Sequence, residues 1–496
     1  MWCSTSASRS RRGLALALLL AACGEGAPAE RDAGALLPLL TREQLLDPAQ
    51  CKSCHPKHYR EWASSMHAYA AEDPVFRAMN QRGQRETEHA LGDFCVRCHA
   101  PMALREGLTS DGLNLDQVPK HLRGVTCYFC HNAVDAEEPF NAHIVHADDT
   151  TMRAGIKRPV VTGAHGSEYS TLHDRNRADS SRLCGSCHDV VTPHGVKLER
   201  TFIEYQESMF AKSGPGFDTC SGCHMPGLPG RVAENAEKPT EERTVHEHLW
   251  PGVDVALTEF PDREAQRLAV ECALGLHTRI KSVRIGGLSE LIVEIDTSAG
   301  HSQPSGTAQD RRLWVELVAY DERDQVLFES GRIADGEREQ KDPDEPGYDA
   351  NLTLYRDWMY DAEGKPVHMF WEAEASDAYP DGYASLLLPA QASPTEPHSL
   401  EARYRIFDLP RVARVSVRLR MRPIGMDVLE DLVASKDLDA KVLKEMPTFT
   451  LHGTAVEWSP RDGGDLTLNW PEALECPTSY RCLLEPASAD CEIGED

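Results

Sequence analysis

Ten of the sixteen cysteines stand in five copies of one pattern: two cysteines three positions apart, with histidine directly after the second. The copies are Cys51, Cys54 and His55; Cys95, Cys98 and His99; Cys127, Cys130 and His131; Cys184, Cys187 and His188; and Cys220, Cys223 and His224. Two thiols at this spacing reach the two vinyl groups on one edge of a haem macrocycle and become thioethers, which leaves the adjacent imidazole under the iron. Zinc sites do not require histidine after every second cysteine, and a disulfide framework requires no histidine at all. The spacing predicts five covalently bound haem c groups, with His55, His99, His131, His188 and His224 as proximal iron ligands.

Five irons accept up to five further ligands. Sixteen histidines remain beyond the proximal five, and eleven of them lie between residues 51 and 250, the excess expected if many bind iron. His67 stands out, because Tyr59, Trp62 and Met66 form an apolar stripe at helical spacing after His55. Twelve residues of helix span about 18 Å. As a ligand, His67 would therefore serve a neighbouring haem, not the one held by His55. Met102 and Met225 follow haem motifs too closely to reach back over their own irons and read as packing residues.

The elements that must position these groups divide after the last motif. Residues 51–255 have short inter-motif spacings, helical stretches and little regular strand pattern, as expected where haem forms much of the core. From about Val283 the apolar period becomes two: Leu291, Val293 and Ile295, then Leu313, Val315, Leu317 and Ala319, later Val415, Val417, Leu419 and Met421. The fold class expected is multidomain α+β, a mainly helical or irregular pentahaem part followed by a β-sandwich-like part over 256–460. Arg414, Arg418, Arg420 and Arg422 alternate with the last strand's apolar residues and predict a basic, solvated sheet face.

The N-terminus reads as an address. Arg9, Arg11 and Arg12 precede the apolar run Leu14 to Leu20, and Leu20-Ala21-Ala22-Cys23 ends it in small residues before a cysteine. Residues 1–22 are expected to be a lipoprotein signal peptide, Cys23 the lipidated residue and 23–50 a tether. Residues 461–496 form a Cys-containing tail. In an oxidising compartment Cys272, Cys476, Cys482 and Cys491 would form two disulfides, most simply with Cys476 to Cys482 as one loop, although three pairings are open. Asp and Glu outnumber Lys and Arg 79 to 52, a field that repels nucleic acid.

Cys51 to Ala70, reading CxxCHxxxYxxWxxSxHxxA, resembles the opening haem segment of multihaem c-type cytochromes of the cytochrome c-554-like group. The likeness continues through Gly124 to Cys127, Thr201 to Tyr205 and Cys220 to Pro226. His248 to Asp254 and Gly300 to Gly306 are similar to elements of larger members with a β-rich C-terminal domain; Ser305 stands where threonine is expected. The resemblance implies electron transfer and bis-histidine ligation, with His67, His165, His173, His248 and His301 as the distal ligands and His143, His146 and His246 as rivals. No motif carries the lysine-for-histidine change typical of nitrite-reductase haems. The expected function is electron transfer between redox partner proteins of the bacterial cell envelope, the membrane being reached through the lipid at Cys23 and the outer membrane favoured. The alternative is a reductase of a small nitrogen or sulfur oxyanion with one open haem site.

Overall fold

Successive side chains on a strand point to opposite faces, so the two-residue apolar period of the C-terminal half yields strands with one buried side. In the computed structural model these are β1 (Thr278–Gly286), β2 (Glu290–Thr297), β3 (Arg312–Tyr320), β4 (Val326–Ser330), β5 (Ser399–Arg405) and β6 (Arg414–Arg422). The structure describes residues 39–157, 164–214, 216–234, 241–339, 347–376, 385–393, 398–462, 464–469 and 480–484. One antiparallel sheet runs β5–β2–β1 with Leu466–Thr467 along β1. The other runs β4–β3–β6, with Leu354–Tyr355 on β3 and Phe449–Thr450 and Val456–Trp458 on β6. Leu291, Val293 and Ile295 of the first sheet share one buried core with Leu313, Val315, Leu317, Val415, Val417 and Leu419 of the second.

The arginines interleaved on β6 do not form a bare basic face. Arg414 pairs with Asp324 and Glu457, Arg418 with Glu316, and Arg420 with Glu316 and the Thr450 hydroxyl. Arg422 is fully buried and bonded to Glu339 and Thr448. The acids come from elsewhere in the chain, which is why the strand's own sequence does not reveal them.

The N-terminal half is built from short elements. α1 (Pro56–Ala63) and α2 (Pro74–Glu86) each begin with proline, whose fixed φ suits a first helical position. The Asp73 carboxylate caps α2 by accepting from the Val75 and Phe76 amides. Between motifs the chain also forms two-stranded ladders, Ala133–Glu138 with His143–His146, Thr151–Ala154 with Gly166–Tyr169, Val190–Val191 with Lys197–Glu199, and Gly227–Arg231 with Glu242–His246. The expectation of little strand there is corrected: these strands are mostly half-exposed and carry no alternating apolar signal.

Residues 39–496 make up one compact unit. Further along, α3 (Arg263–His277) leads directly into β1, and α4 (Met426–Ala434) follows β6. Val75 and Ala78 of α2 pack with Leu429 and Leu432 of α4 and with Met369 and Trp371. The fit is close at Gly83, where a Cβ would lie 2.4 Å from Leu91 and 3.0 Å from the Trp371 ring.

A buried ionic cluster anchors α4. Both carboxylate oxygens of Asp427 accept from Arg312 Nη2, at 2.7 and 2.9 Å, and the group lies 3.3 Å from Arg356 and 3.5 Å from His368. Burial alone would raise its carboxyl, but Arg312, His368 and Arg356 hold it well below the usual carboxylate range. Removing one partner of a buried pair leaves an uncompensated charge, at about 3–5 kcal/mol. Asp427→Asn should destabilise the holoprotein by about that much at pH 7, read by far-UV circular dichroism in denaturant. A carboxyl whose folded pKa is depressed contributes stability above its unfolded pKa of about 3.9 and loses it as pH falls toward the folded value. The gap between parent and variant should therefore narrow below about pH 4; a gap constant from pH 7 to 3 refutes the assignment.

Candidate haem centres

The Cys-X-X-Cys-His segments adopt helical turns. The histidine amide bonds back to the first cysteine's carbonyl at His55, His99 and His188 (2.8, 3.2 and 3.0 Å). Cys127–His131 and Cys220–His224 are short helices. Positions i, i+3 and i+4 of a helix share one face, so each turn presents two thiols and an imidazole together. None of these ten cysteines is engaged in a disulfide.

Each proximal ring is held from its far side. His55 Nδ1 meets the Val232 carbonyl at 2.5 Å, His99 Nδ1 that of Ala70 at 3.3 Å and His131 Nδ1 that of Arg153 at 2.6 Å. His188 Nδ1 meets the Glu199 carboxylate at 3.3 Å, and the His224 ring bonds the Pro251 carbonyl. An acceptor at Nδ1 fixes the tautomer and leaves Nε2 with its lone pair for a metal. Burial pushes His224 down to about 4 and keeps it neutral. At His188 burial acts the same way, but the Glu199 carboxylate outweighs it and raises the pKa.

Four proximal rings face a second histidine. Ring centroids are 6.3 Å apart for His55 and His165, 6.3 Å for His188 and His67, 6.2 Å for His131 and His248, and 6.3 Å for His224 and His301. Two imidazoles bound end-on to one metal at about 2.0–2.1 Å place their centroids roughly 6.3 Å apart. The spacing thus fits an iron between each pair. Interplanar angles are 31°, 68°, 20° and 14° in the same order. The far-side bonds recur: His165 Nδ1 meets the Gly166 carbonyl, His248 Nδ1 that of His246 and His301 Nδ1 that of Ser302. Burial drives His67 down to about 3.

His173 is not brought to a fifth pair. Its Nε2 bonds the Cys130 carbonyl at 2.9 Å and its ring lies beside His131, centroids 5.5 Å apart. Its Nδ1 is buried with no hydrogen-bond partner among the described residues, and the ring stands beside His131, not opposite His99, so the expected distal role of His173 is not matched by a facing pair. Against His99 lies Phe76, stacked at 4.1 Å and 4°. Among the described residues no histidine ring faces His99 across the pair spacing. Of the rivals, His146 gives Nε2 to the Phe129 carbonyl, His143 pairs with Glu138, and His246 Nδ1 bonds the Met225 carbonyl.

The facing histidines are set by distant segments. Val125 donates its amide to the His67 carbonyl, and Gly124, at φ +74°, sits where a Cβ would meet that oxygen at 2.6 Å. Only glycine tolerates both the conformation and the approach. The His301 loop is tied to the Thr201–Glu207 helix: Glu204 accepts from the Ser302 amide and hydroxyl, and Ser305 meets the Thr201 hydroxyl at 2.9 Å. Thiols of different motifs also meet, Cys51 with Cys127, Cys98 with Cys187 and Cys184 with Cys220. Phe76 and Glu199 carry no motif; only their positions in space show their roles.

Cys23, like all of residues 1–38, lies outside the described residues, as do Cys476, Cys491 and the side chain of Cys482. Cys272 on α3 is buried and disulfide-bonded.

The family described as cytochrome c554 and c-prime matches residues 50–132, a span holding the first three motifs. No curated protein sequence matches. Among solved structures, a penta-heme cytochrome c552 from Thermochromatium tepidum shares the fold at a TM-score of 0.56 and 20% identity, over 85% of this chain and 100% of that one. Since the family match falls on the attachment segments themselves and the fold around them is shared, the chain is a multihaem c-type cytochrome with covalently bound haem c.

Proposed function

We propose that this protein is an exported cytochrome with five haem c groups that carries electrons through the cell envelope, four of its irons held between two histidines. The observation that carries this reading is the recurrence of one geometry, facing imidazoles 6.2–6.3 Å apart, at four of the attachment motifs. When bound, haem supplies a one-electron ferric/ferrous couple. The chain's residues would supply two imidazoles to each of these irons; burial keeps His55, His131, His224 and His67 neutral, and the Nδ1 acceptors would strengthen the rings they hold as donors. An iron with two imidazoles offers no vacancy for a substrate, so these four centres pass electrons without converting one.

The signal-like Arg9 to Cys23 segment supports export and a lipid anchor, and the acid excess supports partner proteins in preference to nucleic acid. The division proposed is a haem-binding part over 51–255 and a β-sandwich-like part over 256–460. The fifth centre, at Cys95 and Cys98, is held by His99 from one side. Among the described residues Phe76, not a histidine, lies against His99, so the second reading, reduction of a small nitrogen or sulfur oxyanion, would concern that centre alone.

Mass spectrometry of the mature protein should show five haem additions on a chain beginning at a lipidated Cys23; fewer haems, or an earlier unmodified start, removes the corresponding half of the proposal. Electron paramagnetic resonance of the oxidised protein distinguishes the ligand sets. Imidazole planes near perpendicular leave two iron orbitals almost degenerate and give one very anisotropic low-spin signal, whereas near-parallel planes give rhombic ones. The expected spectrum has one anisotropic signal from His67 and His188, three rhombic signals and one high-spin signal from the His99 centre. Fewer than four low-spin signals contradicts the pairing. His67→Ala should turn the Cys184 and Cys187 haem high-spin while the Cys51 and Cys54 haem stays low-spin. Steady reduction of nitrite or hydroxylamine at the His99 centre would favour the reductase reading over pure electron transfer.

A further inference from the structure

The stretch from His248 to Pro251 meets three centres in four residues. The His248 ring faces His131, the Trp250 ring meets the His67 ring edge-on at 4.6 Å and 79°, and the Pro251 carbonyl accepts from the His224 ring. Trp250 also meets His248 edge-on, at 5.1 Å and 71°. One indole thus touches the second ligands of two different irons. Its backbone stands at φ +48°, a conformation uncommon for a bulky residue and retained where surrounding structure demands it. Leu249, buried at 2% exposure, anchors the segment, and the His248 amide bonds the buried Glu61 carboxylate at 3.0 Å.

The location adds to the contacts. The Cys51 motif adjoins the Cys127 motif, and the Cys184 motif adjoins those of Cys98 and Cys220, with Cys130 acting on Cys184 and Cys187 across the two groups. The indole lies where these two groups of centres meet, between a ligand of the first group, His248, and a ligand of the second, His67.

We propose that Trp250 is a positioning residue that sets the ring planes of both His67 and His248, and so couples the ligand geometry of the two groups of haems. An imidazole bound through Nε2 is still free to rotate about the metal–nitrogen bond. His248 has an Nδ1 acceptor against this rotation, and at both rings the indole edge supplies a steric wall. The indole lies edge-on to the ring of the one pair that is far from parallel, His67 at 68° to His188, and to His248, whose plane lies at 20° to His131. This inference rests on the ligation reading above.

The test uses the mature holoprotein, with haem content checked for every variant and the resonance signals assigned by His67→Ala, His165→Ala and His248→Ala. Trp250→Ala and Trp250→Leu should shift the anisotropic His67–His188 signal toward rhombic values and move the His131–His248 signal. The His55–His165 signal should stay where it is in the parent. Trp250→Phe, which keeps an aromatic edge, should return both signals toward their parental positions. If Trp250→Ala fails to take up a full haem complement, the comparison of Trp250→Leu with Trp250→Phe decides. Parental signals in a fully loaded Ala or Leu variant overturn the proposal, as does an equal shift of all low-spin signals, which would mean general loosening. Failure of the ligation reading itself shows in the parent protein alone, as the lack of four low-spin signals.

Discussion

Everything at these centres depends on which ring nitrogen of each histidine is left free. An imidazole has two, and the partner of one determines the availability of the other. A backbone carbonyl or carboxylate at Nδ1 recurs across the proximal rings, while at His173 and His146 the carbonyl is at Nε2. Burial does not separate the rings, since His173 and His67 are both pushed down to about 3; the nitrogen used sets His173 and His146 apart, while His246, like the facing rings, meets a carbonyl through Nδ1. The acceptors are ordinary backbone groups of strands and turns, so the small ladders of the N-terminal half have a function: they carry the carbonyls that aim the rings.

The second ligands come from far away in sequence. His67 follows the first motif yet faces the fourth, and His301 lies on the loop between β2 and β3 yet faces the fifth. Closing such loops costs chain entropy that only a strong bond or a large core offsets. The apolar core of the N-terminal half is assembled from short helices and turns. Metal–ligand bonds formed only in the folded state contribute to folding free energy, and on the ligation proposed above they would join the segments that the short helices leave unconnected. The two-sheet core, by contrast, is continuous and apolar, and supplies a rigid mount for His301.

How much of this was legible in the sequence follows from range. The cysteine and histidine of a motif lie within one helical turn, so their chemistry can be read from spacing alone. The strands of the two sheets bury one face, and their period of two is plain in Leu291 to Ile295 and Val415 to Met421. That His67 does not serve its own motif follows from helix rise. Which motif each remaining histidine faces is tertiary information, and His173 shows the consequence: its place in the chain is as suggestive as that of His165, but the Cys130 carbonyl has taken its Nε2. The β6 arginines are a similar case, because the acids that neutralise them, Glu316, Asp324, Glu339 and Glu457, are scattered over more than a hundred residues. Trp250 lies in a stretch whose likeness to other cytochromes is visible, but two edge-on contacts to rings from different segments have no one-dimensional signature.

Charge placement completes the argument. The chain carries a net charge of −27, and where carboxylates enter the interior they meet arginines: Asp254 holds Arg311 in a two-point contact of 2.5 and 2.7 Å, and Asp427 holds Arg312. Near His99 the balance differs. Glu199 acts on its ring, as does Asp254 despite its pairing with Arg311, and Asp73, near Asp254, is pushed up to about 6 by burial. Oxidation of a haem iron adds a positive charge, and a nearby carboxylate stabilises that charge more strongly in a low-dielectric interior than in water. Carboxylates beside a haem bound at His99 would favour its ferric state. On the ligation proposed above, the carboxylates near His99 and the paired imidazoles would act in one direction, each favouring the oxidised iron.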